Sequence, residues 1–285
     1  MKHISRILIL AAAVVAAASC SSAKKLTTAN YDFPSADQGG KTAIVAHRGF
    51  WKSEAGGMSE NSIASLKAAQ DNGFWGSECD VHITADDIVI VNHDGTIGGK
   101  KIATHNYEDF AQDLLPNGEK RPTLDEYLVQ AAKSRGTKLI IELKPQAKEE
   151  REDLLVEKVI AALKDHKLYD PERVLFISFS RHICEVIAAG HPQFINQFLS
   201  SEFTKDENPA NYAARGINGV DYHFKMFVLH PAWVKTAHQL GMSVNAWTVN
   251  GKKDIQEMIN LGLDAITTNE PLLTRELLGD KEFKN

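Results

Sequence analysis

Seven residues of this chain are of types and spacings that together suit phosphodiester chemistry: His47, Arg48, Glu78, Asp80, His93, Glu142 and Lys144. Glu78 and Asp80 stand two apart in a strand-like run, where alternate side chains share a face and Cys79 and Val81 take the other. Glu142 and Lys144 repeat that spacing around Leu143. Three carboxylates meeting at one spot repel, by about 1 kcal/mol per pair at ~4 Å in water and about 4 kcal/mol at an effective dielectric of ~20. A divalent cation reverses that sign. Oxygen-only ligands suit Mg²⁺ or Ca²⁺, and no Cys/His spacing for zinc is present. Arg48 offers the planar fork that matches phosphate oxygens, and Lys144 adds a second positive charge. His47 and His93 titrate in the range needed of an acid and a base. With a metal, such a set can hold a phosphodiester and offset charge developing at phosphorus.

These side chains must be delivered by several elements. From residue 41 onward, short β-branched runs alternate with amphipathic helical stretches, the pattern of a parallel sheet covered by helices. Eight main strands are expected near 43–47, 76–82, 138–143, 174–179, 194–200, 217–222, 242–249 and 264–268. Helical patterns at 62–72, 123–134, 152–164, 181–189, 231–240 and 252–261 fall between most of them. Thr123 with Glu126 reads as a capping-box start. Eight units in about 245 residues predict an α/β fold of the (β/α)8 barrel type, with the site at the carboxyl ends of the strands. A doubly wound open sheet is the alternative. Charged and aromatic residues scattered over many strand ends, from Glu78 to Trp247, favour the barrel.

One run breaks the rhythm. Ile88 to Asn92 follows the second strand too closely for a parallel crossover, so the two form an antiparallel hairpin with its tip near Asp86. Counting back from that tip sets His93 level with Asp80. His82 shares the face of Asp80 and is expected as a rim contact, and His223 with Asp221 as a hydrogen-bonded rim pair. The acidic run Lys148 to Asp153 reads as a solvated helix start and nothing more.

The chain has 285 residues, 43% of them hydrophobic, enough for one large core. The net charge of −5 and the absence of a Lys/Arg cluster on any predicted face give no electrostatic footprint for nucleic acid. A small-molecule partner fits better. Lys2 and Arg6 precede an apolar run from Ile7 to Ala18, which reads as a secretory signal over residues 1–19, too short for a membrane-spanning helix. Ala17-Ala18-Ser19-Cys20 resembles a bacterial lipoprotein cleavage site, so Cys20 would carry the lipid and be the sole membrane contact. Cleavage nearby with Cys20 incidental is the other reading. Residues 20–40, poor in large apolar groups, read as a tether, and 41–285 as a single domain of an exported protein, periplasmic or lipid-anchored. After Cys20 only Cys79 and Cys184 remain, on a predicted strand and helix, which indicates no disulfide framework.

The same residues fall in a longer series of motifs. His47-Arg48-Gly49, Glu60-Asn61-Ser62, Glu78-Cys79-Asp80-Val81, His93-Asp94, Pro122-Thr123-Leu124, Glu142-Leu143-Lys144, Trp247-Thr248-Val249-Asn250 and Asp264-Ala265-Ile266-Thr267 together resemble the glycerophosphodiester phosphodiesterase family, in order over residues 43–271. The resemblance implies a (β/α)8 barrel that hydrolyses glycerophosphodiesters to glycerol phosphate and an alcohol. It implies His47 and His93 as the acid/base pair and Glu78, Asp80 and Glu142 as ligands of a divalent cation. Arg48 and Lys144 would contact phosphate, Trp247 would line a glycerol pocket, and Glu60 would support the site from its edge. The substrate's own hydroxyl would attack phosphorus, and water would open the cyclic product. Two departures stand out: Ser59 replaces the usual Pro before Glu-Asn, and Gly-Thr-Ile-Gly-Gly follows His93-Asp94. The second opens a segment, about 95–121, where the family carries a small insertion covering the site. Other functions compatible with the residues are lysophospholipase D or phospholipase-type cleavage to a cyclic phosphate, and a catalytically silent phosphodiester-binding surface protein.

Overall fold

The computed structural model describes residues 41–279; the expected signal segment, Cys20 and the tether to residue 40 lie outside the described residues. The elements are, in order, β1 (Ala43–Ala46), α1 (Ile63–Asp71), β2 (Gly76–Ile83), β3 (Val89–Val91), β4 (Thr96–Ile97), β5 (Lys100–Lys101), α2 (Leu124–Ala131), β6 (Lys138–Leu143), α3 (Glu149–Asp165) and β7 (Val174–Ser178). They continue with α4 (Arg181–Gly190), β8 (Asn196–Ser200), α5 (Pro209–Ala213), β9 (Gly219–His223), α6 (Phe224–Leu229), α7 (Ala232–Gln239), β10 (Ser243–Trp247), α8 (Lys252–Asn260), β11 (Ala265–Thr268) and α9 (Pro271–Leu277).

Eight parallel strands run in the order β1, β11, β10, β9, β8, β7, β6, β2, and β2 pairs back with β1 through Val45↔Gly76 and Ala46↔Ser77. That pairing closes a (β/α)8 barrel and excludes the open sheet. Closure is tight at Gly76, where a Cβ would sit 2.5 Å from Ile140 Cδ1 and 3.2 Å from Val45 Cγ2. Alternation along each strand sorts the core into two layers. Cys79, Val81, Ile141, Leu143 and Phe176 face outward to Leu128, Leu155, Val159 and Ile183 of the helices. Val45, Ile140, Leu175, Ile177 and Leu199 fill the interior. Glu78, Asp80 and Glu142 continue that inner face toward the carboxyl ends. The capping box of Thr123 with Glu126 starts α2 as expected.

The hairpin forms with the register Val81↔Val91, His82↔Ile90 and Ile83↔Val89. Its turn spans Thr84 to Ile88, with Thr84 Oγ1 donating to Asp86 Oδ1 (2.6 Å) and Asp87 at φ 64. Equal steps either side of Asp86 lead from Asp80 to Asn92, whose N–H donates to the Asp80 carbonyl (3.0 Å). The expected pairing of His93 with Asp80 is therefore one residue out. His93 follows immediately beyond the ladder, where its carbonyl receives His82 Nε2 (3.1 Å).

Segment 95–121 packs Ile97, Ile102 and Phe110 onto Ile90 of β3. It is held to the site's first loop by two ties. The Asn117 N–H donates to Ser59 Oγ (2.9 Å), and the Glu119 carboxylate accepts from the first N–H groups of α1, at Ile63 (3.0 Å) and Ala64 (3.2 Å). The acidic run that opens α3 does more than meet solvent. Glu152 is buried and accepts from the Gln146 N–H (3.0 Å) and Ser180 Oγ (2.7 Å), joining the loop after β6 to the cap of α4.

Candidate active site

The turn after β1 carries His47, Arg48 and Gly49. Arg48 and Gly49 both have left-handed backbone (φ 54 and 79), and a Cβ at Gly49 would lie 2.3 Å from Ser65 Oγ, so only glycine fits there. The turn aims the Arg48 N–H at Glu78 Oε2 (2.7 Å). The Arg48 side chain reaches Glu60 Oε2 (2.6 Å) and lies 3.7 Å from Asp80 Oδ2. Glu60 is thus at the edge of the cluster, holding the guanidinium.

Glu78, Asp80 and Glu142 are all buried, and one oxygen from each lies within 4.8 Å of the others. Lys144 Nζ sits between two of them, 2.7 Å from Asp80 Oδ1 and 2.6 Å from Glu142 Oε1. Asn61, at φ 55, donates from Nδ2 to Asp80 Oδ2 (2.8 Å) and accepts the Asp80 N–H on Oδ1 (3.1 Å). Burial raises the affinity of each acid for a proton, but the outcomes differ. At Asp80 the Lys144 ammonium and the Asn61 amide outweigh burial and hold the carboxyl well below the usual range. Burial, then the charges of Asp80 and Glu142, push Glu78 far above it. Burial and Asp80 push Glu142 up to about 8 despite Lys144. A cluster with two acids driven toward neutrality is short of positive charge. Its all-oxygen donor set fits a hard divalent cation, which would return both to the ionised form.

His47 Nδ1 lies 2.9 Å from Asn269 Oδ1, which also receives the indole N–H of Trp51 (3.1 Å). The indole can only donate, so it marks that atom as oxygen, and His47 carries its proton on Nδ1. Its Nε2 is left bare. Burial, and then the Arg48 charge, lower its pKa to about 4, so the ring is neutral. His93 is half-exposed, with Nδ1 bonded to Asp94 Oδ1 (2.7 Å).

A cleft of about 490 Å³ joins these groups. One wall carries His47, Arg48, Glu78, His93, Glu142 and Lys144; the other carries Ile177, Phe179, Leu199, Asp221, Trp247, Thr248 and Thr267. Trp247 is in the cleft, its indole N–H bonded to the Asp221 carbonyl (3.0 Å) and its ring edge-on to Phe179 (5.4 Å). Segment 95–121 contributes none of the lining residues; it packs on the hairpin instead.

The expected hydrogen bond between His223 and Asp221 is absent. The His223 ring stacks on Phe224 (4.9 Å) and meets Trp247 edge-on (5.6 Å), while both Asp221 carboxyl oxygens are buried without a partner. Burial, then the Glu142 charge, raise the Asp221 carboxyl far above its ordinary value. Of four further residues that shape the site, Asn61, Trp51 and Asn269 went unassigned in the sequence, and Asp221 was read only as the rim partner of His223. Asn61 stands inside the Glu-Asn-Ser motif, and Asp221 is on the inner face that strand alternation assigns it. Trp51 and Asn269, far apart in the chain, carry no local signal.

The model of the glycerophosphoryl diester phosphodiesterase family matches residues 47–273. A crystal structure of a glycerophosphodiester phosphodiesterase from Parabacteroides distasonis is 39% identical with a TM-score of 0.79, covering 85% of this chain and 99% of that one. A glycerophosphodiester phosphodiesterase from Caldanaerobacter subterraneus is 29% identical over 256 residues, 81% of this chain and 95% of that protein. A phosphodiesterase from Oleispira antarctica, solved with sn-glycerol-3-phosphate, is 24% identical with a TM-score of 0.72 over 86% of this chain and 99% of that one; this likeness carries the fold.

Proposed function

The chain belongs to the glycerophosphoryl diester phosphodiesterase family, and on that premise we propose how its residues divide the hydrolysis of a glycerophosphodiester to glycerol phosphate and an alcohol. The observation that carries the division is the Asn269 oxygen, which takes both the Trp51 indole N–H and the His47 Nδ1–H. It leaves a neutral His47 with a bare Nε2 on the cleft, the form of a general base. His93, whose ring is oriented by the bond between Nδ1 and Asp94 Oδ1, takes the remaining role, that of the acid.

In the first step His47 takes the proton of the substrate's own hydroxyl as that oxygen bonds to phosphorus. The bond from phosphorus to the alcohol breaks, and His93 gives that alcohol its proton. In the second step the roles reverse. His93 takes a proton from water, the water oxygen bonds to phosphorus, the ring opens, and His47 returns its proton to the sugar-alcohol oxygen. Glu78, Asp80 and Glu142 would hold Mg²⁺ or Ca²⁺, which supplies charge stabilisation at the phosphoryl oxygens. Arg48, fixed by Glu60, and Lys144 add their charges to the same oxygens. The N-terminal signal and Cys20 support an exported, lipid-anchored enzyme, and labelling with a fatty-acid analogue before and after Cys20→Ser tests that part.

The division is tested with leaving groups. His93→Ala is expected to lose roughly 10²- to 10⁴-fold on glycerophosphocholine and to recover most of it on a 4-nitrophenyl diester, whose leaving group needs no acid. His47→Ala stays slow on both. Recovery by His47→Ala instead would exchange the two roles, and undiminished turnover by Glu78→Ala with Asp80→Ala would remove the cation from the scheme.

Phe179 and Phe203, both exposed, continue from Trp247 and His223 at the cleft mouth, which favours a second reading in which a lysolipid chain lies along these rings.

A further inference from the structure

Asp221 takes no part in the chemistry above, yet it stands in the cleft wall. It lies on β9, four strands around the barrel from the Glu78 and Asp80 of β2 and so across the cleft from them. Its exposure is 0%, and neither carboxyl oxygen has a partner at hydrogen-bond length, although the neighbouring Asn245 amide favours its ionised form. Asn245, opposite it in register on β10, donates its amide to Thr267 Oγ1 (3.0 Å). An unpartnered carboxyl in the interior destabilises the fold, so such a group is expected where a ligand completes it. The surrounding wall is apolar: Ile177, Leu199, Phe179 and Trp247. Trp247 is locked by its bond to the Asp221 carbonyl, so plane and carboxyl are held by one strand pair. The wall thus presents a flat surface for a short carbon chain and one buried carboxyl at its centre.

We propose that Asp221 is a specificity residue that hydrogen-bonds the terminal hydroxyl of the substrate's glycerol arm, selecting deacylated glycerophosphodiesters over lysolipids. The inference rests on the phosphodiesterase reading above. With phosphate held at Arg48, Lys144 and the cation that the three acids would hold, the glycerol arm extends across the cleft and its far hydroxyl meets Asp221. A diester without that hydroxyl leaves the carboxyl buried and unpaired. An acyl ester at the same oxygen removes the donor and adds bulk. A site built to pair with a hydroxyl discriminates more sharply against its absence than an apolar pocket does.

The test measures choline release by the full-length protein from three substrates: glycerophosphocholine, its 2-hydroxypropyl analogue and lysophosphatidylcholine. The analogue keeps the internal hydroxyl and lacks only the terminal one. The wild type is expected to prefer glycerophosphocholine over the analogue by on the order of 10- to 100-fold in kcat/KM. Asp221→Leu should bring that ratio to within about threefold of one while melting at a higher temperature than the wild type. Asp221→Asn, which keeps the shape and the hydrogen-bonding capacity, should restore most of the preference. A wild type that cleaves the first two substrates equally, a preference for the lysolipid, or an Asp221→Leu protein that keeps the full ratio would overturn the assignment. Release of choline from none of the three would instead sink the phosphodiesterase reading itself.

Discussion

Asn61 and Asp80 hold each other by two reciprocal hydrogen bonds, amide to carboxylate at 2.8 Å and backbone N–H to amide oxygen at 3.1 Å. The pair ties the loop after β1 to the inner face of β2 and fixes the rotamer of the acid that stays ionised. Asn61→Ala should weaken divalent-cation binding by roughly 10- to 100-fold, as loss of a partner to a metal ligand commonly does. It should also cost about 1–3 kcal/mol of stability, because a buried carboxylate loses a donor. Calorimetric titration with Mg²⁺ or Ca²⁺ and denaturant melts check the two effects separately.

Cation binding should release protons. Glu142 is raised to about 8, so it is largely protonated at neutral pH in the cation-free protein, and burial shifts Glu78 in the same direction. Titration at pH 7 in buffers of differing ionisation enthalpy is expected to show release of at least one proton per cation, and affinity should rise about tenfold per pH unit for each proton released. The sign for stability follows. An acid raised from 4.5 to about 8 by folding lowers stability as pH rises through that window, so the cation's stabilising effect on Tm should grow from pH 5 to pH 8. A pH-independent affinity would contradict this.

Alternation at period two is local, which is why Glu78, Asp80, Glu142 and the hairpin tip at Asp86 were legible in the sequence. Absolute pairing was not: His93 was set level with Asp80, and the ladder gives that place to Asn92. Asp221 and His223 were paired from their spacing, but spacing does not name a partner, and the His223 ring went to Phe224 and Trp247. The short helices α5, α6 and α9 span at most two turns, too few for a period to emerge. Asn269 reaches His47 and Trp51 only because β11 closes beside β1, a long-range consequence of topology that no local window contains.

Ser59, where the family usually has Pro, and the segment 95–121, which the Gly-Thr-Ile-Gly-Gly departure opens, are joined in the structure through the Asn117 N–H on Ser59 Oγ. Glu119 adds the second tie, accepting from two N–H groups at the start of α1 where a negative charge also meets the helix dipole. Glu119→Ala should cost about 1 kcal/mol, within the range of a lost helix cap. Amide exchange should quicken across residues 112–119 and at Ile63 and Ala64, with the core strands unchanged. Equal protection in both proteins would show that the tie does not hold the segment.

On the proposed division of roles, His47 sets the acid limit of the reaction. Its ring is neutral with the proton on Nδ1, and burial followed by the Arg48 charge takes its pKa from 6.5 to about 4. Between those values the unfolded chain binds a proton that the folded ring refuses, so stability rises with pH across the window. The contribution is complete above pH 6.5 and is lost as pH falls to about 4, a swing of at most about 3 kcal/mol. His47→Gln cannot titrate, so its denaturation midpoint should fall less between pH 7 and pH 4.5 than that of the wild type. The same value governs catalysis if His47 is the base: the acid limb of kcat/KM should bend near pH 4 to 5, well below an ordinary histidine. Nitrogen-15 shifts of the ring check both points at once, through the Nδ1–H tautomer at pH 7 and the titration midpoint. A midpoint near 6.5 would remove the ground for naming His47, and not His93, as the base.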